Sequence, residues 1–459
     1  MAIRPFVHPA VVAMGLHVAS ARVRRAVRGH RRYPGTAAEI LRAGLEDCWS
    51  GEYLTASPGT YRQFWTRDTG FAAPSLIRLG DPWPARLLSS LAWAMEVWDR
   101  RGSHVTTTIN PRLRWPVDIF DYGVDSLPLL LSSLQALAVA GGQAGEGAAT
   151  LAHEHRAWIR SEVEHFVTEV VDPSTGLVRS DRHFSAHRDT FKNGSTAYAN
   201  TMVAVLARTV AATGWGPDLL SKHFAGVPPV QPVRPLGGDA LGGDALGGDP
   251  LGGDALGGIP GNGGSALDQP LAISPQTRTP PMRISEGGGG REAPFADWGL
   301  LVRRHFWTGD RFRDRLGCDE TSGEANVWPF FAGLIDDQAM LAAALDTLQR
   351  EGYTAPYPLR FDATHRVDRL VPAYRLWSAD YQTTTSWTSL GSIYLALLRR
   401  VQPDSAAAQL HRMRRLIERG GTFWEVLDAR GEPWRSRSRL SVSDVSMLWG
   451  AILLEAFSS

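Results

Sequence analysis

The chain has 459 residues, a formal net charge of +1 and 43% hydrophobic residues. This charge balance gives no support to a nucleic-acid or anionic-membrane partner, and the apolar content is enough for a large buried core. The two cysteines, Cys48 and Cys318, lack metal-ligand spacing and indicate free thiols in a reducing compartment rather than a disulfide framework.

The first 35 residues predict an N-terminal arm or helix with a basic face. A short apolar run is followed by several arginines, so the charge lies on the wrong side for a secretory signal. The apolar run is also too short to span a bilayer. We therefore expect a cytoplasmic protein without a membrane partner.

Residues 36–459 predict one domain made almost entirely of helices. Thr36 and Glu39 form a capping-box pattern before the first of them. Apolar residues then recur at helical spacing in about twelve segments, counting the N-terminal one. After residue 60 these segments are 69–79, 84–100, 124–140, 149–170, 196–213, 293–306, 332–350, 384–401, 405–419 and 442–457. The best strand signal is VTTTI at 105–109.

A glycine-rich tract interrupts the helical pattern at about 226–292. Within it, residues 236–258 repeat a five-residue Leu-Gly-Gly-Asp-(Ala/Pro) unit. Such a unit has too little apolar surface to offset the entropy of ordering its glycines. Helices of one kind lie on both sides, so we predict a flexible surface insertion rather than a domain boundary.

The connections between predicted helices are rich in Trp, Arg, Asp, Asn and Tyr. Aromatic rings stack on sugar rings, while carboxylates, amides and guanidinium groups bind hydroxyls. A single tryptophan usually indicates core packing, but the mixture recurs and favours a carbohydrate site. The connections are 61–70, 110–125, 183–191, 317–331, 374–387 and 421–437.

Asp189 stands in one of these connections, among aromatic residues that include His187 and Phe191. A partly dry, aromatic setting raises the pKa of a carboxyl group, which can then keep its proton and donate it to a leaving oxygen. The alternatives are a cap for the helix that starts near Ser195 and a surface ion pair with Arg188. The residues by themselves leave these alternatives open.

The pattern Phe-Trp-x-Arg-Asp-x-x-Phe at 64–71 resembles the tryptophan-x-arginine-aspartate signature of six-hairpin glycosidases. These enzymes include glucoamylases and the amylo-α-1,6-glucosidase region of glycogen-debranching enzymes. The resemblance implies that Arg67 and Asp68 bind the non-reducing sugar. It also implies an all-α fold, an (α/α)6 toroid of paired inner and outer helices.

Three further segments resemble the debranching enzymes in the same chain order. Residues 118–136 match a stretch with a Tyr and a Val-Asp before an inner helix, and residues 172–178 match the loop before the segment that holds the general acid. Residues 421–428 match the segment of the general base. The resemblance thus implies Asp189 as the acid and Glu425 as the base. His187 and Arg188 depart from it, since debranching enzymes have Trp and Met there.

Together these patterns predict an inverting glycoside hydrolase that cleaves an α-glucoside-type bond of a glycoside or oligosaccharide without a cofactor. An inverting pair of carboxyl groups stands roughly 6.5–9.5 Å apart to admit water. No metal-ligand spacing and no nucleotide-binding fingerprint is present. The predicted substrate-binding residues are Trp65, Arg67, Asp68, Asp121, Tyr122, Arg188, Glu324, Trp328 and Trp387.

Several alternatives stay open from the sequence. Glu425 could instead pair with Arg435 or Arg437, and Glu324 is a rival for the role of base. A sugar epimerase or polysaccharide lyase on the same toroid would use histidine and tyrosine. Its candidates are His104, His183, His187 and Tyr198. A non-catalytic sugar-binding toroid is the third interpretation. The sequence gives no signal for oligomeric state.

Overall fold

The computed structural model describes residues 9–118, 122–191, 194–224, 296–364, 370, 380–437 and 441–458. Contacts between Cα atoms place Met1–Gly226 and Ala296–Ser459 in one unit, to which all these residues belong. The glycine-rich insertion lies outside the described residues, so its flexibility stays a prediction. The same holds for the division of the chain into an arm and one domain.

The described part of the chain is mainly helical. Its helices are α1 (Pro9–Arg28), α2 (Ala37–Asp47), α3 (Thr66–Arg78), α4 (Trp83–Arg101), α5 (Ser126–Ala140), α6 (Gly142–Glu154), α7 (Arg156–Val170), α8 (Ala197–Thr213), α9 (Ser221–Phe224), α10 (Leu300–Phe306), α11 (Gly323–Phe331), α12 (Gln338–Arg350), α13 (Thr388–Val401), α14 (Pro403–Gly420) and α15 (Gly450–Ser458).

Two very small antiparallel sheets lie between the helices. Their strands are β1 (Phe64–Trp65), β2 (Thr108–Asn110), β3 (Trp115–Val117), β4 (Ser386–Trp387) and β5 (Val426–Leu427). The first sheet has the order β1-β2-β3, and the second pairs β4 with β5. Since β1 runs directly into α3 and β4 into α13, each sheet fixes the start of one helix.

Six helices form a closed inner ring. Each packs against the next in the order α3, α5, α8, α11, α13 and α15, and α15 returns to pack against α3. Five further helices pack outside this ring: α2 against α15, α4 and α6 against α5, α12 against α11 and α13, and α14 against α13. The arrangement is the paired inner and outer helices of an (α/α)6 toroid.

The two classes of helix differ in sequence as their positions require. The inner helix α5 carries six leucines and no charged residue, and nine of its fifteen residues are buried. The outer helix α14 buries one apolar stripe and presents several arginines to solvent. A helix buried on both sides must be apolar all round, whereas a surface helix needs a single apolar face.

The predicted helices are confirmed in outline, and some bounds were wrong. Thr36 caps α2 and Glu39 closes the capping box. The segment 149–170 is interrupted at His155, between α6 and α7. The helix α11 lies inside 317–331, which the sequence analysis treated as a connection, because its nine residues with an internal proline are too few for a clear helical period.

Within the described residues, no helix combines the length and the apolar character that crossing a membrane requires.

The close approach of α3 and α5 provides a test of the ring. A Cβ atom added at Gly70 would lie 2.6 Å from the Cβ of Leu129. We expect Gly70→Ala to lower the free energy of unfolding by about 1–3 kcal/mol, because a packed helix pair has to separate. Denaturant unfolding followed by circular dichroism measures the change.

Gly15→Ala is the matched control. A Cβ atom at Gly15, in the exposed part of α1, would meet nothing within 4 Å. The loss of a helical glycine should then leave stability unchanged or raise it by about 0.5–1 kcal/mol. Equal effects of the two substitutions would contradict the close contact between α3 and α5.

Candidate functional site

The polar residues singled out from the sequence converge at the N-terminal ends of the inner helices. Arg67 and Asp68 lie in the first turn of α3, Glu324 in the first turn of α11, and Trp387 caps α13. The N-terminal end of a helix carries partial positive charge and unpaired N–H groups, so it favours nearby carboxylates. The ring therefore collects acidic groups at one end.

Arg67 joins two of these carboxylates. Its Nε donates to Asp125 Oδ2 at 2.6 Å and its Nη2 to Asp125 Oδ1 at 3.2 Å, while its Nη1 donates to Asp189 Oδ2 at 2.9 Å. Tyr198 also donates to Asp125 Oδ2, at 2.7 Å. Asp125 thus anchors Arg67 and makes no side-chain cap on α5. Arg67 pairs with these two aspartates rather than with its neighbour Asp68.

Asp189 has the setting of a proton donor. Its Oδ1 accepts a hydrogen bond from Ser185 Oγ at 3.0 Å, and its side chain is 18% exposed, so solvent and a ligand can reach it. Burial raises its pKa from 3.8 to about 6, although the charge of Arg67 opposes the shift. Asp189 neither caps a helix nor bonds to Arg188, the two roles that the sequence left open.

Glu425 is held at both oxygens by donors. Tyr381 donates its hydroxyl to Oε1 at 2.7 Å, and the backbone N–H of Asp444 donates to Oε2 at 2.9 Å. Burial raises its pKa, and the positive charge of Arg22 opposes this. Two donors at an acidic group favour its ionised form, which is the form that a general base needs. No pairing of Glu425 with Arg435 or Arg437 is found in the described residues.

One dipeptide ties the Asp189 segment to Glu425. Tyr381 bonds to Glu425, and the next residue, Gln382, accepts hydrogen bonds through Oε1 from the backbone N–H and the hydroxyl of Thr190, both at 2.8 Å. Thr190 directly follows Asp189. Adjacent positions of one loop therefore bond to the Glu425 carboxylate and to the residue that follows Asp189, although Asp189 and Glu425 are far apart in the chain.

The pKa of Asp68 is affected by the carboxylates of both Asp189 and Glu425. This pKa is raised from 3.8 to about 7, first by burial and then by the negative charges of Glu425 and Asp189, while Arg67 opposes the shift. The effect of one charge on the pKa of another group grows as the distance between them falls. Asp68 therefore lies within electrostatic reach of both groups. With a pKa of about 7, its carboxyl group is partly protonated and partly ionised at neutral pH in the free protein.

Arg188 occupies a second, fully buried cluster. Its guanidinium donates to Asp314 at 2.5 Å, to Glu324 at 2.7 Å and to Asp362 at 3.1 Å. Its ring neighbours are Phe191 and Phe361. The side chain is only 1% exposed. Arg188 is thus engaged by three buried carboxylates, and its predicted contact with a sugar stays a prediction.

The geometry of Glu324 fits a protonated acid. Burial raises its pKa from 4.5 to about 7, against the pull of Arg188. Its Oε2 has no hydrogen-bond partner within normal range and lies 3.5 Å from His187 Nδ1, which has none either. A proton on Oε2 would point at the ring nitrogen. His187 itself is neutral, since burial lowers its pKa well below 6.5.

The other predicted site residues lie in different parts of the structure. Trp65 and Trp387 lie at the starts of α3 and α13, and Trp387 stands edge-on to Tyr381 with a centroid distance of 5.0 Å. Trp328 is buried in α11, where it packs on Phe71. Tyr122 is buried against His104. Asp121 lies outside the described residues, so its binding role stays a prediction.

Two of the four residues of the epimerase alternative lie in contact: the rings of His187 and Tyr198 have a centroid distance of 5.7 Å. Tyr198 is buried and donates a hydrogen bond to Asp125, while burial lowers the pKa of His187 well below 6.5. His104 pairs with Asp118 at 2.7 Å and stacks on Tyr122, and His183 is exposed.

The sequence analysis missed two tyrosines and one arginine that surround Glu425. Tyr61 and Tyr381 approach each other to 3.3 Å between hydroxyl oxygens, and Arg22 of α1 donates to both. Tyr61 and Tyr381 both lie in the aromatic-rich connections, which was the available signal. Arg22 is one of many arginines near the N-terminus, and nothing in the sequence separates it from the rest.

No group of three or more His, Cys, Asp or Glu side chains in the described part of the chain has the geometry to hold a metal ion. A cavity of about 260 Å³ lies farther along the inner helices, lined by residues such as Gly70, Leu129, Met202 and Trp328. Neither Asp189 nor Glu425 lines it. The acidic site and this cavity are therefore separate features.

Comparison with known proteins finds solved glycosidases of similar structure. A glycosidase variant in complex with glucose aligns with a TM-score of 0.54 at 13% identity, over 95% of this chain and 96% of that one. The GH63 mannosylglycerate hydrolase from Thermus thermophilus, in complex with Tris and D-glycerate, aligns with a TM-score of 0.52 at 13% identity, over 92% and 100%. The fold is the six-hairpin toroid.

A rhamnosidase from Klebsiella oxytoca with rhamnose bound shares this toroid. It aligns with a TM-score of 0.53 at 12% identity, over 91% of this chain and 62% of that one. No family model and no curated relative matches the sequence. At these identities the likeness confirms the predicted (α/α)6 fold, while the chemistry has to be argued from the residues.

The raised pKa of Glu324 leads to a prediction about stability. The folded state holds a proton on Glu324 up to about pH 7, whereas the unfolded chain releases it near 4.5. The free energy of unfolding should thus fall as pH rises between these values. Glu324→Gln should flatten this decline, measured as the melting temperature at a series of pH values.

Asp319→Asn is the control for Glu324→Gln. Asp319 lies in the same connection and its side chain is 94% exposed. The substitution Asp319→Asn should leave the pH dependence of the melting temperature as in the wild type. Identical profiles for Glu324→Gln and the wild type would show that Glu324 is ionised in the folded state.

Proposed function

We propose that the protein is an inverting glycoside hydrolase in which Asp189 is the general acid and Glu425 the general base. The proposal is carried by one loop that connects the two segments: Tyr381 bonds to the Glu425 carboxylate, and Gln382 bonds to Thr190, which follows Asp189. Asp68 lies in electrostatic reach of both acids. The solved glycosidases of the same fold, among them one with glucose and one with rhamnose bound, support a sugar as substrate.

Both acids accept hydrogen bonds from two donors and both have a raised pKa, so it is their exposure that supports different roles: the Asp189 side chain is 18% exposed, whereas Glu425 is 2% exposed. Asp189 keeps its proton up to about pH 6 and is reachable from solvent, so it can protonate the glycosidic oxygen as the bond to the anomeric carbon breaks. Glu425, held by two donors, takes the proton from a water molecule that attacks the anomeric carbon from the opposite face. The product is a free sugar with inverted anomeric configuration.

Asp68 is the residue best placed to bind the sugar itself. Its carboxyl group lies near both catalytic candidates, while Arg67 is already engaged by Asp125 and Asp189. A carboxylate binds two neighbouring hydroxyls through its two oxygens. We assign Arg67 to holding Asp189 and Asp68 to the hydroxyls of the innermost sugar. An α-glucoside is the preferred substrate, on the sequence resemblance to amylo-α-1,6-glucosidases and glucoamylases.

Substitution of the two acids tests the assignment. Asp189→Asn and Glu425→Gln should each lower kcat by about 10²–10⁴-fold, because each removes one proton-transfer group, and sugar binding should persist. Assays on α- and β-linked gluco- and manno-disaccharides, with the first-formed anomer followed by NMR, measure turnover and stereochemistry. Retention of configuration would contradict the mechanism.

Glucosyl fluoride separates the acid from the base. Fluoride needs little protonation to leave, so Asp189→Asn should keep much of its activity on this substrate, whereas Glu425→Gln should not. Asp181→Asn and Glu432→Gln are matched controls, since both side chains are exposed and lie in the same segments. They should retain wild-type kcat. Equal loss on fluoride and disaccharide for Asp189→Asn would remove Asp189 from the acid role.

The pKa of Asp189 sets the pH dependence. The acid must hold its proton, so kcat/KM on a disaccharide should fall as pH rises above about 6. The fall should be weaker with glucosyl fluoride. A kcat/KM that rises from pH 6 to 8 would contradict a protonated Asp189.

A further inference from the structure

Two arginines of the N-terminal helix α1 reach the surroundings of Glu425. Arg22 and Arg25 are three positions apart and therefore lie on one side of the helix. Arg22 donates to the hydroxyls of Tyr381, at 3.1 Å, and of Tyr61, and its Nη1 donates to Ser441 at 3.0 Å. Arg25 forms an ion pair with Asp444.

Arg22 and Arg25 thus contact the two residues, Tyr381 and Asp444, that donate hydrogen bonds to the Glu425 carboxylate. Tyr381 donates to Oε1 and the backbone N–H of Asp444 donates to Oε2. Each oxygen of Glu425 thus has a donor, and each donor residue is held by one arginine of α1. The Asp444 side chain is also fixed by Ser57 at 2.5 Å.

We propose that α1 belongs to the catalytic site, because Arg22 and Arg25 act as positioning residues that fix the Glu425 carboxylate through Tyr381 and Asp444. This inference rests on the proposed role of Glu425 as the base. A base has to present one lone pair to the attacking water, and a small misplacement of a reacting group costs a large factor in rate. Without Arg22, the Tyr381 hydroxyl loses a charged partner and can rotate away from Oε1.

The groups around Glu425 determine how its pKa changes when one of them is replaced. The positive charge of Arg22 and the hydroxyl of Tyr381 lower its pKa, while burial and the negative charge of Asp444 raise it. The Asp68 carboxyl also lies within electrostatic reach, and the Tyr61 hydroxyl is next to Tyr381. Arg25 offsets the charge of Asp444. Loss of Arg22 should therefore raise the pKa of Glu425.

Arg22→Met is the principal test. We expect kcat to fall by about 10–100-fold with little change in KM, since a misplaced base loses part of the 10²–10⁴-fold that proton transfer contributes. The acid limb of the kcat/KM profile should move to higher pH. Arg22→Lys, which keeps the charge, should move the limb back toward its wild-type position.

Arg24→Met is the matched control. Arg24 is exposed on α1, two positions from Arg22, and its side chain contacts Ser20 of the same helix. It should leave both kcat and the pH profile at wild-type values. A merely structural α1 would give Arg22→Met a lower melting temperature and no shift of the acid limb, and that result would overturn the inference.

A double-mutant cycle tests the route through Tyr381. Tyr381→Phe alone should lower kcat and shift the acid limb in the same direction, and Arg22→Met in that background should add little, because both act on one hydrogen bond. Fully additive losses would overturn the route. If Arg22→Met does not fold, Tyr381→Phe still tests whether the donor to Oε1 controls the base.

The failure of this inference is distinguishable from failure of the proposed function. If the wild-type protein hydrolyses no glycoside, or Glu425→Gln retains activity, the proposed function falls and the inference with it. If the wild type is active, Glu425→Gln is inactive and Arg22→Met matches Arg24→Met, only the role of α1 falls.

Discussion

The structure concentrates buried negative charge at one end of the helical ring, and every other feature of the site depends on how that charge is compensated. Arginines from separate segments provide the compensation. Arg67 holds Asp125 and Asp189, and Arg188 holds Asp314, Glu324 and Asp362. A buried carboxylate without such a partner costs several kcal/mol or keeps its proton. The arginines thus decide which acids ionise.

The compensation is incomplete, and the proposed acid–base chemistry depends on this. Burial raises the pKa of Glu324 to about 7, and the charges of Asp314 and Asp362 add to the rise that Arg188 opposes. Burial likewise raises the pKa of Asp189 to about 6, and the charge of Asp125 adds to the rise that Arg67 opposes. Proton-transfer groups work best when their pKa lies near the working pH.

The ring explains why the interacting groups are so far apart in the chain. Each inner helix brings the connection that precedes it to the same end, so loops from residues 61–68, 183–190, 380–387, 421–437 and 441–449 meet there. The short pairing of β4 with β5 then brings Trp387 beside Val426, next to Glu425. The helix α1 joins this end from outside the ring, and its arginines reach Tyr381 and Asp444.

The sequence determined the local features by itself. The capping box at Thr36 and the leucines of α5 encode a helix start and an inner helix, because hydrogen bonding and burial follow local periodicity. The aromatic setting of Asp189 indicated the direction of its pKa shift. These properties depend on residues within a few turns of each other, which is the range that periodicity and capping report.

Only the tertiary structure decided which charged groups pair. Arg67 bonds to Asp125 and Asp189, not to the adjacent Asp68, and Arg188 is buried among Asp314, Glu324 and Asp362. The hydrogen bonds from Arg22 to Tyr381 and from Tyr381 to Glu425 connect segments that share no sequence pattern. Partner choice among charges depends on how the ring closes, since a guanidinium at a loop end has many acids within its possible reach until the helices are packed.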